Sequence, residues 1–193
     1  MAKRRQLDRA SVVAKAAELA DAAGSVQGVT LTTLAAALDI RVPSLYNHIS
    51  NLDDLHDALA RHALQEMFTQ VRAAAIGKVG TAALTAIAWA YRAFAQAHPG
   101  TYPLILRAPT PDNAAHVALA QELLQMLLLV YASLGIAGED AIHAVRGMRA
   151  VLHGFVSLEA GEGFKMAVDL DESFSRVLNV YLAGVTATRF PAA

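Results

Sequence analysis

The chain contains no cysteine, which excludes a disulfide framework, a thiolate nucleophile and a zinc finger. Aromatic residues make up only 6% of it, with a single Trp, whereas 55% is hydrophobic and rich in Ala and Leu. That balance favours close-packed helices over sheet. Neither sign of charge dominates: 16 Lys and Arg stand against 17 Asp and Glu, for a net −1. This argues against indiscriminate nucleic-acid binding. No apolar run reaches membrane-spanning length, and the most hydrophobic stretch, residues 126–134, reads as buried core. The basic N-terminus has no apolar segment after it, so no signal peptide is read, and a cytoplasmic location is expected. Gly-rich phosphate loops, a supported Ser-His-Asp order and a metal-ligand set are all missing, so neither an enzyme nor a cofactor is expected. His98, His116, His143 and His153 lack the tight spacing of a helical metal site and read as structural or ligand-bonding histidines. There is no internal repeat and no alternating strand pattern. At 193 residues, one domain or two small ones can bury a real core.

What the chain does have is concentrated in residues 31–49, LTTLAAALDIRVPSLYNHI. This reads as a short helix, a tight turn and a second short helix. Thr32 or Thr33 is expected to cap the first helix, and Leu34, Ala35 and Leu38 form its apolar stripe. The turn is Asp39-Ile40-Arg41-Val42. Pro43 suits the first turn of the next helix, where a missing N–H needs no partner. Leu45 and Ile49 face inward, leaving Ser44, Tyr46, Asn47 and His48 outward. A small helix with a polar face and an apolar anchor suits the major groove of DNA. Lys3, Arg4, Arg5 and Arg9 form a local basic cluster that could follow phosphates or enter the minor groove; alternatively it is a solvated terminus.

Further helices follow from periodicity and caps. One runs from an Asp8 cap to about residue 23, stopped by Gly24, with Val12, Ala16, Leu19 and Ala23 inward. Asn51 caps a long helix to about residue 76, with Asp53 and Asp54 in its first turn and Leu55, Leu59, Ala63, Met67 and Val71 inward. At ~1.5 Å per residue it is a rod over ~30 Å long. Helices are also expected over 81–98, from an Asp112 cap to 134, over 140–160 and over 172–189, with a short helix or turn at 102–107. The count is about nine.

Residues 7–59 resemble the DNA-binding motif of the TetR family of bacterial transcriptional regulators, through Leu31-Thr32-Thr33, Pro43-Ser44-Leu45-Tyr46, His48 and Asn51-Leu52-Asp53-Asp54-Leu55. LHGFVSLE at 152–159 resembles the His-Gly-containing, WHG-type C-terminal domain of one branch. The resemblance implies an all-α fold of two parts. Residues 1–51 would be a three-helix DNA-binding domain with a helix-turn-helix, and residues 52–193 a helical effector-binding and dimerisation domain.

It also implies roles. Thr33, Tyr46 and His48 would meet phosphate, Tyr46 alternatively a thymine methyl, with Thr32 also at the DNA; Arg41, Val42, Pro43, Ser44 and Asn47 would lie nearest the groove floor. Arg41 has the geometry to read guanine and Asn47 adenine, while Val42 and Pro43 could touch thymine methyls. Plainer readings stand beside these: Tyr46 as packing, His48 as an idle surface residue. Four positions depart from the family pattern, among them Leu34 and Val42, which sit where some members have polar base-reading residues. Asp39 replaces a usual turn glycine, and Leu52 stands where many members place a phosphate-binding lysine.

In the body, Val145, Leu152, Phe155 and Val156 on one helix and Phe174, Val177, Leu178, Tyr181 and Val185 on the last would join two copies, unless those faces pack only within one chain. Trp89, Phe94, His98, Tyr102, Leu106, His116, Met126, Tyr131, Met148, His153 and Phe164 are the candidates for an effector pocket, or simply for core. Expected partners are therefore operator duplex DNA, a second copy and a mostly apolar small molecule, with no membrane. The expected function is a ligand-responsive regulator, most simply a repressor released by its effector. The competing reading is an all-helical small-molecule carrier or enzyme with no sequence-specific role on DNA.

Overall fold

Local chemistry sets most helix ends in the computed structural model, which describes residues 7–187. Asp8 caps α1 (Arg9–Ala23) by accepting from the Ser11 amide, and Ser11 Oγ accepts in return from the Asp8 amide at 3.0 Å. Gly24 ends α1 at φ +65°, a backbone region that costs glycine nothing. After a 3₁₀ turn at Val26–Gly28 come α2 (Leu31–Ala37) and α3 (Val42–Leu45). The cap of α2 is Thr30, two or three residues ahead of the threonines expected to do it. Its Oγ1 accepts from the Thr33 amide, and Thr33 Oγ1 accepts from the Thr30 amide. Asn51 Oδ1 accepts from the Asp54 amide at the start of α4 (Leu52–Ala75).

Then follow α5 (Gly80–Ala97), a 3₁₀ turn at Tyr102–Leu106, α6 (Ala114–Ala132), α7 (Gly138–Ala160) and α8 (Leu170–Ala187). The described residues thus form eight α-helices and no strand; the ninth helix expected near residue 102 is the 3₁₀ turn. The cap ahead of α6 is Asn113, not Asp112: Asn113 Oδ1 accepts from the His116 amide.

The helices gather into two compact units. The first joins the chain up to Glu66 with Ala97–Leu119; the second joins Met67–Gln96 with the chain from Ala120 onward. The expected break at 51/52 falls at the first residue of α4, while the first half of that helix packs with the N-terminal unit.

The core of the first unit is built from Val12, Ala16 and Ala20 of α1, Leu34 and Ala35 of α2, Leu45, Ile49, and Leu55 and Leu59 of α4. Each fully buried Leu or Val contributes about 1.5–3 kcal/mol relative to exposure. Leu19 is half-buried and Ala23 exposed, so the buried stripe of α1 runs through Val12, Val13, Ala16, Ala17 and Ala20 instead. The inward face expected of α4 is found: Leu55, Leu59, Ala63, Met67 and Val71 are all buried.

In the second unit, Phe94, Tyr131 and Phe174 are fully enclosed, with Leu84, Met148, Leu152 and Leu178 beside them in burial. Residues 126–134 do not form the buried core expected of them. Only Tyr131 is buried there, and Leu129 is 72% exposed. By length and composition alone α6 could cross a membrane, although only 17% of it is buried.

Candidate nucleic-acid interface

The turn between α2 and α3 requires a left-handed residue, and Asp39 supplies it at φ +54°. Aspartate accepts that conformation better than most side chains. Arg41 then becomes the N-cap of α3 without using its side chain as a cap, and Pro43 stands in the first turn. Leu45 is 0% and Ile49 1% exposed, so the short helix and the turn that follows it hang from two buried anchors. On its outer surface Arg41, Pro43, Tyr46 and Asn47 are exposed, as is Thr32 on α2. Tyr46 is 54% exposed. An aromatic ring left in solvent beside an arginine and a carboxamide is equipped to meet a groove edge and its phosphates.

Several expected contacts are placed differently. Thr33 is exposed, but its hydroxyl donates to the Thr30 carbonyl at 2.9 Å while accepting from the Thr30 amide. The hydroxyl is therefore spent on the cap and not offered to phosphate. Val42 packs partly against the core, so only part of its side chain faces outward. Leu34, at a position where relatives place polar readers, is fully buried. Ser44 and His48 are half-buried. Leu52 is 40% exposed and presents an apolar chain where a lysine is common. Lys3, Arg4 and Arg5 lie outside the described residues.

Arg9 was grouped with the basic arm, but its guanidinium is engaged within the unit. Nη1 donates to the His48 carbonyl at 2.7 Å and to Asp54 Oδ2 at 2.9 Å; Nη2 donates to Asp54 Oδ1 at 2.5 Å. Asp54 Oδ2 also accepts from the Ser50 amide at 2.7 Å. The Arg9 side chain and that amide together hold the Asp54 carboxyl down at about 2. A second knot closes the other end of α1. Asp21 Oδ1 accepts from the amides of Gly100 (3.1 Å) and Thr101 (2.8 Å) and from the Thr101 hydroxyl (3.0 Å), and Oδ2 accepts from His98 Nδ1 at 2.7 Å. Neither knot was legible in the sequence, since the partners lie 39 to 80 residues apart.

The expected effector residues fall into two groups. His98, Tyr102, Leu106 and His116 belong to the first unit; Trp89, Phe94, Met126, Tyr131, Met148, His153 and Phe164 belong to the second. His98 is occupied by Asp21. Burial holds His116 below its ordinary basicity, opposed by Asp57 and reinforced by Arg61. Phe94, Tyr131 and Met148 are core side chains. The Tyr131 hydroxyl lies 3.0 Å from that of Tyr181, and burial raises both phenols. His153 bonds Ser157 Oγ at 3.1 Å. A groove of about 960 Å³ on the first unit is lined by α1, α4 and the start of α6, including Lys15, Leu38, Ala58, Arg61 and Leu119. None of the expected effector residues lines it.

The second unit has an ionic centre that composition did not reveal. Arg92, with its side chain 4% exposed, donates from Nε and Nη2 to the two oxygens of Glu159 at 2.9 and 2.6 Å, and from Nη1 to Asp171 at 2.7 Å. Its guanidinium carbon lies 5.0 Å from the centre of the Phe174 ring and 5.4 Å from those of Trp89 and Phe155. Bonding to Arg92 holds Glu159 below the usual carboxylate range despite burial. Glu159 is therefore enclosed and ion-paired although it stands in the last turn of α7.

The helix faces expected to join two copies are also partly committed. Leu152, Phe155, Val156, Phe174, Leu178 and Val185 are all buried within the chain, with at most 9% exposure. Such residues serve the intrachain core, because a second copy cannot touch what the chain already encloses. Val145 and Tyr181 are half-buried. Among the large apolar residues of α7 and α8, Leu158 (53%), Val177 (37%) and Val180 (73%) are left in solvent.

Comparison with known proteins agrees with this geometry. Residues 84–181 match the family described as tetracyclin repressor-like, C-terminal domain. The chain is 35% identical over 186 residues to the uncharacterized HTH-type transcriptional regulator YobS of Bacillus subtilis, covering 96% of each. It is 32% identical over 181 residues to the uncharacterized HTH-type transcriptional regulator Rv0681 of Mycobacterium tuberculosis, covering 93% of this chain and 82% of that one. Among solved structures, a Rhodococcus protein of unknown function superposes with a TM-score of 0.79 at 21% identity, covering 95% of this chain and 98% of that one. A TetR variant from Acinetobacter baumannii in complex with minocycline superposes at 0.70 with 22% identity, covering 97% and 100%. With a reading helix of this construction and relatives matched over nearly their whole length, the chain belongs to the TetR family of helix-turn-helix transcriptional regulators.

Proposed function

We propose that the protein is a ligand-responsive repressor that binds its operator as a homodimer in the cytoplasm and is released by a small, mostly apolar molecule. The observation that carries the reading is the exposed Arg41, Pro43, Tyr46 and Asn47 surface on a helix anchored by the buried Leu45 and Ile49. A carrier or enzyme has no use for a solvated aromatic helix of this kind. Thr32, Tyr46 and His48 would meet phosphate, while Arg41, Asn47, Ser44 and Pro43 would read base edges, with Lys3, Arg4 and Arg5 adding charge. Two recognition helices are needed to read two half-sites. The self-association surface would be the solvated side of α7 and α8 around Leu158, Val177 and Val180. The effector would be taken by the second unit, and would lower DNA affinity only by preferring the state that does not bind DNA.

The test is fluorescence anisotropy of the full chain with duplex DNA from immediately upstream of its own gene, against scrambled duplex, over a salt series. Tight, selective binding with a steep salt slope is expected. Tyr46→Ala with Arg41→Ala should abolish selectivity while the circular dichroism spectrum stays unchanged. Equal, weak binding of the wild-type chain to both duplexes would overturn the regulator reading.

A further inference from the structure

We propose that Arg9 and Asp54 are positioning residues for DNA reading, their ion pair setting the orientation of the recognition helix through the carbonyl of His48. The inference rests on the regulator reading for its functional half and on geometry for the rest.

A helix of four residues has almost no rigidity of its own, because nucleation is unfavourable and few bonds repay it. Its N-cap residue makes no side-chain bond. At its other end, the Leu45 carbonyl accepts from the amides of His48 (2.8 Å) and Ile49 (3.0 Å). Three residues past the end of the helix, the His48 carbonyl is left for another part of the chain to seize. Arg9 does so from the first residue of α1 and closes a fork onto Asp54 in the first turn of α4. Asp54 in turn takes the Ser50 amide and gives its own amide to Asn51. Three segments thus meet at one carboxylate: the entry to α1, the exit from α3 and the entry to α4.

The planar fork of arginine makes this arrangement directional, which a lysine could not match. The pair is solvated, at 43% and 26% side-chain exposure. Solvated pairs add little to global stability. The pair therefore does little for the fold and much for the angle at which Tyr46 and Asn47 are presented. Arg9 lies where a phosphate contact was expected, yet its donors are turned inward to the protein.

The experiment uses the full chain, with Asp54→Asn and Arg9→Lys. Asparagine keeps an acceptor for the Ser50 amide and removes the charge that Arg9 grips. Two readouts separate positioning from folding. First, amide hydrogen exchange of the free protein should speed up at 45–50 by about tenfold, the scale of one lost charge-assisted bond, while α7 amides stay as in wild type. Second, the ratio of operator to scrambled-DNA affinity should fall about tenfold, with scrambled-DNA affinity and its salt slope unchanged. A merely structural role would lower both affinities together. The inference is overturned if exchange at 45–50 is unchanged or if the two affinities fall in equal proportion. If wild type shows no selectivity for any duplex, the regulator reading has failed, and the exchange readout alone decides whether the pair orders the helix.

Discussion

The junction at the far end of α1 can be tested by removing the Asp21 carboxylate or by crowding the turn it holds. Asp21→Ala deprives four donors of their acceptor: the amides of Gly100 and Thr101, the Thr101 hydroxyl and His98 Nδ1. Gly100 and Thr101 are both buried, Thr101 to 2% exposure, so water cannot simply replace the lost oxygen. Two stranded amides at about 1–3 kcal/mol each place the loss at about 3–5 kcal/mol, after some relaxation of the turn. Against a typical total of about 5–15 kcal/mol, that is a large share.

Gly100→Ala reaches the same junction from the other side. A Cβ at Gly100 would lie 1.9 Å from the Ala20 carbonyl oxygen and 2.2 Å from its carbon. Both are backbone atoms of α1 and cannot turn aside. The turn must therefore lift off the helix and release Asp21. For a chain of this size each kcal/mol moves the melting midpoint by about 2–4 °C, so either variant should melt about 10 °C below wild type by circular dichroism. Because both changes break one junction, the double variant should be little worse than either single one. Lys165→Ala, which removes only the exposed pair with Glu162, serves as the control and should shift the midpoint by no more than about 1 °C. A shift below about 2 °C for Asp21→Ala, or full additivity in the double variant, would refute this account.

Arg92→Ala should destabilise the chain by about 3–5 kcal/mol in urea titration, because it strands the Glu159 carboxylate in a place that is only 14% exposed. Arg92→Lys should recover little, since a single ammonium cannot fork onto Glu159, reach Asp171 and lie against Trp89, Phe155 and Phe174 at once. Asp39→Gly should raise stability by about 0.5–1 kcal/mol by relieving a left-handed residue. Asp39→Val should lower it by more than that, and a fall in the urea midpoint on Asp39→Gly would contradict the turn geometry.

The local features of the reading head were legible because they depend on neighbours within a few residues. Asp8 and Ser11, Gly24, Asn51 and Asp54, and the left-handed Asp39 each do what their residue type does near a helix end. The inward series of α4 was legible for the same reason, as a period of 3.6 repeated over its length. Sequence alone leaves a cap open where similar residues compete. Thr30, Thr32 and Thr33 can all cap, and the choice depends on which one takes extended backbone; here it is Thr30, at φ −102° and ψ 160°. Asn113 won over Asp112 in the same way.

The tertiary structure alone decided which apolar faces are core and which are surface. Periodicity places Phe174, Val177 and Leu178 on one apolar face, yet packing buries Phe174 and Leu178 and leaves Val177 at 37% exposure. It also decided which charges are free. Arg9 reads as part of a basic cluster until the fold brings Asp54 to it, and Arg92 meets Glu159 and Asp171 only in the folded chain. The sequence by itself determined the all-helical class, the helix-turn-helix and the outward Tyr46 and Asn47, because caps, turns and helical period act over a few residues. Only the tertiary structure decided the partners of Arg9, Asp21 and Arg92, because a pairing across 39 to 80 residues leaves no periodic trace in one chain.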